Sequence, residues 1–378
     1  MIKIASLVPY KIVPPVTGGE KGVYYFLKNL AAFGDLSCFT VVENGSLSTL
    51  FHTIPVLGSS RNQFRYINPL LFFRLRRLLR ERGIRYLMLE HPYFGWLGIL
   101  LQRLAGIKLI VHSHNIEAFR FKDLKKWWWK CLFWYEKKVH QLADLNFFIS
   151  PEDRSFAIQQ YQLAPEKCAV MPYGIELAHV SSETKQAARR VLCKALDLDP
   201  DTRLVLFNGT LSYPPNLDAV LTILRSINPL FKQQYSKPYK ILICGKGLPD
   251  ALLQEMKEQE TQHILYQGFV EDIQLYFSAA DLFINPVADG GGIKTKLVEA
   301  LGSNTPAVSY KKGAFGVPEA LTGAHLRVVA DNDNSQFVKE MIAVLEAQNS
   351  SIPESFYAYF RWDKIARRAM DTIEKTKV

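Results

Sequence analysis

The stretch Asp289-Gly-Gly-Gly-Ile-Lys-Thr-Lys-Leu-Val-Glu299-Ala-Leu-Gly302 decides how this chain of 378 residues is interpreted. The apolar run Leu282-Phe-Ile284 precedes three consecutive glycines, and a helical pattern follows them. A strand, a turn without side chains and the start of a helix form an anion site, because backbone amides point outward and the helix dipole favours negative charge. The stretch therefore predicts a phosphate site on Gly290, Gly291, Gly292 and Ile293.

The helical pattern adds a second contact to this site. At 100° per residue, Gly292, Lys296 and Glu299 share one side of the helix, whereas Lys294 points about 160° away and is expected to be solvated. Glu299 lies roughly 12 Å along the axis from Gly291 at ~1.5 Å per residue, so a nucleoside diphosphate can bridge them. The opposite face is predicted to be buried and comprises Ile293, Leu297, Ala300 and Leu301. A glycine-rich loop before an ordinary surface helix is the alternative.

Length and composition limit the class of protein. The chain is long enough for two domains, its hydrophobic content of 48% suits a globular protein, and no apolar run is long enough to span a bilayer. The start of the chain, Met1 to Pro9, predicts a buried strand and not a secretory signal. The five cysteines are scattered without CxxC spacing, which favours a reducing cytoplasm over a disulfide framework or a zinc site.

The positive charge is concentrated in one half of the chain. Residues 1–175 contain 23 Lys and Arg against 12 Asp and Glu, a net of +11, and the remainder contains 23 against 24. This concentration of positive charge suits an anionic partner. The candidates are a nucleic acid, a phosphorylated substrate and an acidic lipid headgroup. No nucleic-acid-binding motif is present, so a nucleic-acid partner is not expected.

Short apolar runs alternate with helical patterns throughout. The predicted strands cover residues 2–8, 36–42, 86–89, 109–112, 145–149, 204–207, 241–244, 264–266, 282–285 and 307–309. The predicted helices lie near residues 20–33, 68–82, 93–105, 123–142, 216–231, 249–259, 271–279, 293–302 and 334–347. This alternation predicts an α/β protein with two Rossmann-like, doubly wound parallel sheets that face a cleft. The predicted domains are residues 1–174 for the acceptor and 175–355 for the nucleotide sugar, with a helix at 356–378 that crosses back to the first.

An ordered series of motifs carries a family resemblance. The motifs are Gly18-Gly19, His114-Asn-Ile-Glu117, Ala143-Asp-Leu-Asn-Phe-Phe-Ile-Ser150, Met171-Pro-Tyr-Gly-Ile-Glu176, Gly209 to Asn216, Gly245-Lys-Gly247, Gly268-Phe-Val270 and Phe360-Arg-Trp362. Together with the glycine loop they resemble the retaining nucleotide-sugar glycosyltransferases of the GT-B fold, family 4 (group 1 type). The resemblance implies metal-independent hexosyl transfer from a UDP- or GDP-sugar, with no cofactor.

The resemblance also implies roles for individual residues. Gly19 would present an amide to the donor phosphate, and His114 would hydrogen-bond a hydroxyl of the transferred sugar, with His112 structural. Glu299 would accept both ribose hydroxyls through charge-assisted hydrogen bonds. The remaining donor contacts would come from Gly209, Thr210, Gly245, Phe269 and Val270, with the nucleotide base near the last two.

Two departures from the family pattern change the expected site. Gly291 stands where the family has its first motif glutamate, so backbone amides would replace that side chain. Thr210 and Pro215 stand where many members have an Arg and a Lys that clamp the diphosphate. Lys296 is the candidate to supply the missing positive charge as a catalytic residue. His114 and Glu299 are the other two candidate catalytic residues. No metal site is expected, because Asp331-Asn-Asp333 has the pattern of a turn.

The acceptor is expected to be a glycan or a lipid-linked molecule. The segment from Phe119 to Lys138 is rich in Trp and Lys, and Arg74 to Arg85 is rich in arginine. Such surfaces favour peripheral contact with an anionic bilayer at the cytoplasmic face, although part of the Trp run is expected in the core. The alternatives are an inactive glycosyltransferase-like partner subunit and, with less support, a GT-B epimerase.

Overall fold

The protein is described by a computed structural model that covers residues 2–45, 51–176, 180–258, 263–347 and 351–376. The chain divides into two units, one formed by Met1–Glu176 with Tyr359–Val378 and the other by Leu177–Ala358. Each unit contains one parallel sheet covered by helices. The prediction of an α/β protein with two doubly wound sheets is therefore confirmed.

The elements are numbered in chain order. The strands are β1 (Lys3–Leu7), β2 (Asp35–Thr40), β3 (His52–Pro55), β4 (Tyr86–Glu90), β5 (Lys108–Ser113), β6 (Leu145–Phe148), β7 (Cys168–Val170), β8 (Arg203–Asn208), β9 (Tyr239–Cys244), β10 (Ile264–Gly268), β11 (Leu282–Asn285), β12 (Ala307–Tyr310) and β13 (Leu326–Val329). The α-helices are α1 (Gly18–Leu30), α2 (Leu70–Arg82), α3 (Gly95–Ala105), α4 (Glu117–Asp123), α5 (Trp129–Leu142), α6 (Pro151–Gln160), α7 (Ser182–Ala195), α8 (Pro214–Thr222), α9 (Asn228–Gln234), α10 (Asp250–Glu258), α11 (Ile273–Ala279), α12 (Thr295–Gly302), α13 (Asn334–Glu346), α14 (Glu354–Phe360) and α15 (Trp362–Lys375).

The first unit has a seven-stranded sheet in the order β3-β2-β1-β4-β5-β6-β7, with every pair parallel. The order reverses between β1 and β4, and this switch point leaves a gap at the carboxyl ends of the two strands. One hydrophobic core joins Leu75 of α2, Leu97 of α3 and Val139 of α5 to Leu87 of the sheet, so these three helices cover the same face. Helix α15 packs against α1, where the rings of Trp362 and Tyr25 stack.

The second unit repeats this design with six parallel strands in the order β10-β9-β8-β11-β12-β13. Its switch point lies between β8 and β11. Buried side chains of the strands, such as Val205 and Ile243, pack against Phe231 of α9 and Met341 of α13 in one core. The loops after β8 and β11 therefore lie at the edge where ligands of such sheets bind.

Several elements differ from the sequence prediction. Strands β3, β7 and β13 and helices α6 and α7 were not predicted, because each is short or largely polar. Helix α7 buries only Ala188, Leu192 and Cys193, so it resembles a linker in composition. The helix predicted near 123–142 is α5, which begins only at Trp129, and the preceding helix α4 was not predicted; Lys125 between them has a positive φ of 55°. No helix in the described parts of the chain combines the length and apolar character needed to cross a membrane.

Candidate functional site

The three glycines after β11 form a loop that ends before the helix begins. Gly290 and Gly292 have positive φ values of 85° and 72°, in the left-handed region that favours glycine. Helix α12 therefore begins at Thr295, and the prediction that it starts at residue 293 is wrong. Leu297, Ala300 and Leu301 are fully buried, as predicted for the apolar face of the helix.

Lys294 organises the loop, and the prediction that this lysine is solvated is wrong. Its Nζ donates to the carbonyl oxygens of Gly290, Gly291 and Gly292 at 2.7, 3.0 and 3.2 Å. Burial lowers the pKa of Lys294 to about 8. Helical geometry could not predict this contact, because Lys294 caps α12 with extended backbone and does not belong to the helix.

The same contacts orient the amides of the loop. The C=O and N–H groups of one trans peptide point in opposite directions, so the amides of Gly291, Gly292 and Ile293 face away from the Lys294 ammonium. No acceptor among the described residues hydrogen-bonds these three amides. Consecutive N–H groups of this kind form a concavity that suits an anion.

Lys296 lies in the first turn of α12 and reaches across the switch point to the end of β8. Its Nζ donates to the Asn208 carbonyl and to Asn216 Oδ1, each at 3.0 Å, and lies 4.2 Å from the centre of the Phe207 ring. Burial, reinforced by the charge of Lys294, lowers the pKa of Lys296 to about 7. Two of its three ammonium hydrogens are thus directed to protein acceptors. Sequence analysis did not identify Asn208 or Asn216, because their contact with Lys296 joins segments about 80 residues apart.

The other residues predicted for the donor lie around the same edge of the second sheet. Glu299 is half-buried on α12, one turn after Lys296. Phe269 follows β10 with 72% of its surface exposed, and Val270 is half-buried. Thr210 is exposed after β8, where its carbonyl accepts a hydrogen bond from Asn216 Nδ2 at 3.0 Å.

Gly209 and Gly245 are required by packing between β8 and β9. A Cβ on Gly245 would lie 1.8 Å from the Gly209 carbonyl oxygen, and a Cβ on Gly209 would lie 2.7 Å from the Asn216 amide nitrogen. A side chain on Gly245 would force the two strand ends apart, whereas one on Gly209 would displace the Asn216 side chain of α8. Their predicted contact with the donor remains a prediction.

In the first unit, Gly19 lies in the opening turn of α1. Thr17 and Glu20 form a capping box around this turn, in which the Thr17 hydroxyl accepts from the Glu20 amide and the Glu20 carboxylate accepts from the Thr17 amide. A Cβ on Gly19 would meet no atom within 4 Å. The backbone here is thus open to a ligand, as the predicted phosphate contact requires.

His114 belongs to a network that sequence analysis missed. Its Nε2 lies 2.7 Å from Oε2 of Glu90, and its ring centre lies 4.6 Å from that of His91. His91 Nδ1 in turn lies 2.9 Å from Oε1 of Glu117. The strand pairing of β4 with β5, which places Glu90 opposite His112, brings these groups together.

One group of side chains in the described parts of the chain could hold a metal ion, namely Glu90, His112 and His114. Their possible ligand atoms all lie within 4.8 Å of one another. Their shortest contacts to one Glu90 oxygen also suit direct interactions, namely a hydrogen bond from His114 at 2.7 Å and an ion pair with His112 at 2.9 Å. The expectation of a metal-free reaction stays a prediction. Asp333 caps α13, in keeping with a structural role for the Asp331-Asn-Asp333 segment.

Two family models match the chain. Glycosyltransferase Family 4 matches residues 16–179, and Glycosyl transferases group 1 matches residues 202–347. The chain belongs to the family 4, group 1 glycosyltransferases.

Similar proteins agree with this assignment. The chain is 25% identical over 294 residues to the chitobiosyldiphosphodolichol beta-mannosyltransferase of Debaryomyces hansenii, a match over 71% of this chain and 61% of that relative's length. Among solved structures, sucrose-phosphate synthase from Thermosynechococcus elongatus has a TM-score of 0.74 at 16% identity, with 99% of each chain covered. The Anabaena protein HepE, solved with UDP, has a TM-score of 0.73 at 16% identity, with 99% of this chain and 100% of that chain covered. These structures share the two-domain GT-B fold that the sequence predicted.

Gly290 and Gly291 provide a matched test of the loop. A Cβ on Gly290 would lie 2.9 Å from the Tyr213 hydroxyl at a positive φ, whereas a Cβ on Gly291 would meet nothing within 4 Å. Gly290→Ala should lower the free energy of unfolding by about 1–2 kcal/mol. Gly291→Ala should change it by less than about 0.5 kcal/mol. Urea denaturation measures both, and equal effects would contradict the loop conformation.

The pKa of Lys296 predicts how stability varies with pH. Its folded-state value of about 7 lies below the ~10.4 of an unfolded chain, so between these values only the unfolded state binds the proton. The free energy of unfolding of the second unit should rise with pH over this window, because the unfolded state then holds more protons. Lys296→Met should flatten part of that rise in urea titrations at pH 7 to 10.

Lys339→Met, on the exposed side of α13, is the control for this titration and should leave the slope unchanged. Identical slopes for the wild type and Lys296→Met would show that the ammonium of Lys296 is not buried as described.

Proposed function

We propose that this protein is a retaining hexosyltransferase that moves a sugar from a nucleoside diphosphate to an acceptor hydroxyl without a metal ion. The proposal rests on one observation. Three outward-facing amides after β11 and a lysine ammonium that reaches the end of β8 lie at the switch point of the second sheet, where a parallel sheet binds its ligand. Synthesis of a cell-envelope glycan or glycolipid is the proposed context.

The proposed donor pose follows from the order of these groups. The diphosphate binds the amides of Gly291, Gly292 and Ile293 and the third ammonium hydrogen of Lys296. The ribose hydroxyls donate to Glu299, and the base lies against Phe269 and Val270, with stacking on the exposed ring of Phe269. Gly209 and Thr210 line the phosphate side. The complex of HepE with UDP supports a nucleotide ligand for this fold.

The chemistry requires stabilisation of the leaving diphosphate. Negative charge develops on the phosphate oxygen as the bond to the sugar breaks, and fixed donors in a partly buried site stabilise it most. A bound diphosphate would raise the pKa of Lys296 from about 7 and keep the ammonium charged. The leaving oxygen would then take the proton of the acceptor hydroxyl on the same face of the sugar, which gives retention.

A lipid-linked acceptor is proposed from the surface of the first unit. The name of the Debaryomyces relative includes a dolichol diphosphate acceptor. In this chain, four apolar side chains around the start of α2 are 65–76% exposed, namely Phe64, Ile67, Leu70 and Phe73. Leu70, Phe73, Arg74 and Arg77 share one helical stripe, so apolar and basic groups face the same solvent.

The segment from Trp127 to Trp134 also exposes aromatic side chains, as does the start of α2. Trp127 is 88% exposed, and Trp134 on α5 is 66% exposed among lysines. The expectation that part of the Trp run lies in the core is not met, because Trp128 and Trp129 are only half-buried. The indole of Trp96 donates to the Tyr66 carbonyl at 2.8 Å, and its amide donates to the Tyr135 hydroxyl at 3.0 Å. These bonds connect both segments through Trp96, and the exposed aromatic and basic side chains of the two segments are proposed to contact an anionic bilayer together.

Donor binding and transfer test the proposed reaction. With a panel of UDP-, GDP- and ADP-sugars and lipid or glycan acceptors, at least one pair should release nucleotide. Glu299→Ala should weaken donor affinity about 10- to 100-fold, because charged hydrogen bonds to the ribose are lost. Lys296→Met should lower turnover about 100-fold or more, as expected for a donor to developing charge. Calorimetry and nucleotide-release assays measure these effects.

Glu319→Ala, an exposed glutamate of the same unit, is the control and should leave both quantities unchanged. Donor binding without transfer to any acceptor would instead support an inactive partner subunit. Absence of nucleotide binding would refute the donor site, and a product with inverted anomeric configuration would refute retention.

Vesicle flotation tests the membrane contact. The protein should float with phosphatidylglycerol-containing vesicles at low salt and detach at high salt, because each basic residue near the surface contributes about 1 kcal/mol that salt screens. The double variant Leu70→Ser, Phe73→Ser should lose most of this binding. Leu104→Ser is the control, since Leu104 is 53% exposed but lies at the opposite end of the helical layer, near the end of α3. Failure to float at low salt would exclude this surface as a lipid contact.

A further inference from the structure

Glu90 is a buried carboxylate held at the switch point of the first sheet. It ends β4, and only 1% of its surface is exposed. Its Oε1 accepts a hydrogen bond from the Ser6 hydroxyl of β1 at 3.0 Å. Its Oε2 lies 2.7 Å from Nε2 of His114, just after β5. The carboxylate is therefore fixed from both neighbouring strands.

The charge state of Glu90 determines which way its hydrogen bonds run. Burial alone would raise the pKa of Glu90, but His112 and His114 outweigh it and hold that pKa well below its usual value. His112 contributes through proximity, since its Nδ1 lies 2.9 Å from Oε2 without the alignment of a hydrogen bond. An ionised carboxylate only accepts, so Nε2 of His114 must carry the proton in this contact.

The surroundings of His114 favour its neutral form. Burial and the nearby charge of His112 lower its pKa, and the opposing effect of Glu90 does not reverse the shift. In a neutral imidazole one nitrogen donates and the other accepts. With Nε2–H directed at Glu90, the lone pair is on Nδ1, for which the described residues provide no partner, and the side chain keeps 12% of its surface exposed.

We infer that Glu90 is a positioning residue that holds His114 as its Nε2–H tautomer, so that Nδ1 accepts a hydrogen bond from a hydroxyl of a sugar substrate bound at the switch point of the first sheet. This inference rests on the proposed function for the identity of the ligand. The tautomer itself follows from the 2.7 Å contact between His114 Nε2 and the buried carboxylate, with support from the lowered pKa of Glu90. A carboxylate that fixes the tautomer and orientation of an imidazole is a general device in active sites.

The neighbouring His91 supplies an internal comparison. Its Nδ1 lies 2.9 Å from Glu117 Oε1, and its Nε2 lies 3.1 Å from the Tyr10 hydroxyl. Burial opposes ionisation of Glu117, but His91 and Tyr93 lower its pKa to about 2, so this carboxylate also only accepts. His91 is thus held as the Nδ1–H tautomer, opposite to His114 and only 4.6 Å away between ring centres.

Nitrogen-15 NMR of the full chain labelled at histidine tests the assignment. Long-range proton–nitrogen correlations distinguish the two tautomers, and His114→Asn and His91→Asn assign the signals. The wild type should show Nε2–H for His114 and Nδ1–H for His91. In Glu90→Gln, His114 should shift towards a mixture of tautomers, because the amide can also donate, while His91 stays unchanged. Glu117→Gln should have the reverse effect.

Kinetics then connect the tautomer to catalysis. With a donor that supports transfer, Glu90→Gln should lower kcat about 10- to 100-fold, as expected for a residue that orients a group contacting substrate. The KM for the donor should change less, because the diphosphate and ribose contacts lie in the second unit. Glu90→Asp keeps the charge and should retain the His114 tautomer and more of the activity.

Three results would overturn the inference. They are a wild-type His114 protonated at Nδ1 or at both nitrogens, an unchanged tautomer in Glu90→Gln, and a stoichiometric divalent metal in the purified protein that Glu90→Gln releases. The wild-type spectrum needs neither a folded variant nor transferase activity. Failure of the proposed function would therefore leave this test intact, and failure of this test would leave donor binding and transfer measurable.

Discussion

Parallel strand pairing is the constraint on which both sites depend. All strands of each sheet run in the same direction, so the loops that follow them are collected at one edge, and the order reverses once in each sheet. At one reversal the Lys296 ammonium of α12 donates a hydrogen bond to the Asn208 carbonyl at the end of β8. At the other, Glu90 of β4 contacts Ser6 of β1 and His114 beyond β5. Both groups of polar side chains lie where the strand order reverses, because a gap opens there without breaking the sheet.

The buried charged groups at the two switch points have different surroundings. In the second unit, two lysines are surrounded mainly by neutral carbonyl and amide oxygens, so burial lowers the pKa of each and makes their charge responsive to an anion. In the first unit, carboxylates are surrounded by imidazoles and hydroxyls that compensate for burial and keep them ionised. One site is therefore organised to receive negative charge, whereas the other already contains it.

The sequence predicted the architecture well because it depends on local patterns. Apolar strands alternating with helices specify doubly wound sheets, and the spacing of Leu297, Ala300 and Leu301 specifies the buried face of α12. The position of Lys294 could not be predicted from the sequence. It depends on the positive φ values of Gly290 and Gly292, and a glycine in a sequence does not show which φ it adopts. Glu90 was missed for another reason: its partners Ser6 and His114 lie 84 and 24 residues away, and only the strand order brings them together.

The geometry at Gly291 has a consequence for how this enzyme family can diversify. The loop holds its amides in place through an internal cation, and the middle glycine has neither a strained φ nor a neighbour that a side chain would displace. A side chain could therefore be gained or lost at that position without disturbing the amides beside it. If the loop binds the donor as proposed, recognition of the sugar and recognition of the phosphates are separable, and substrate preference can evolve while the backbone proposed to bind the phosphates stays constant.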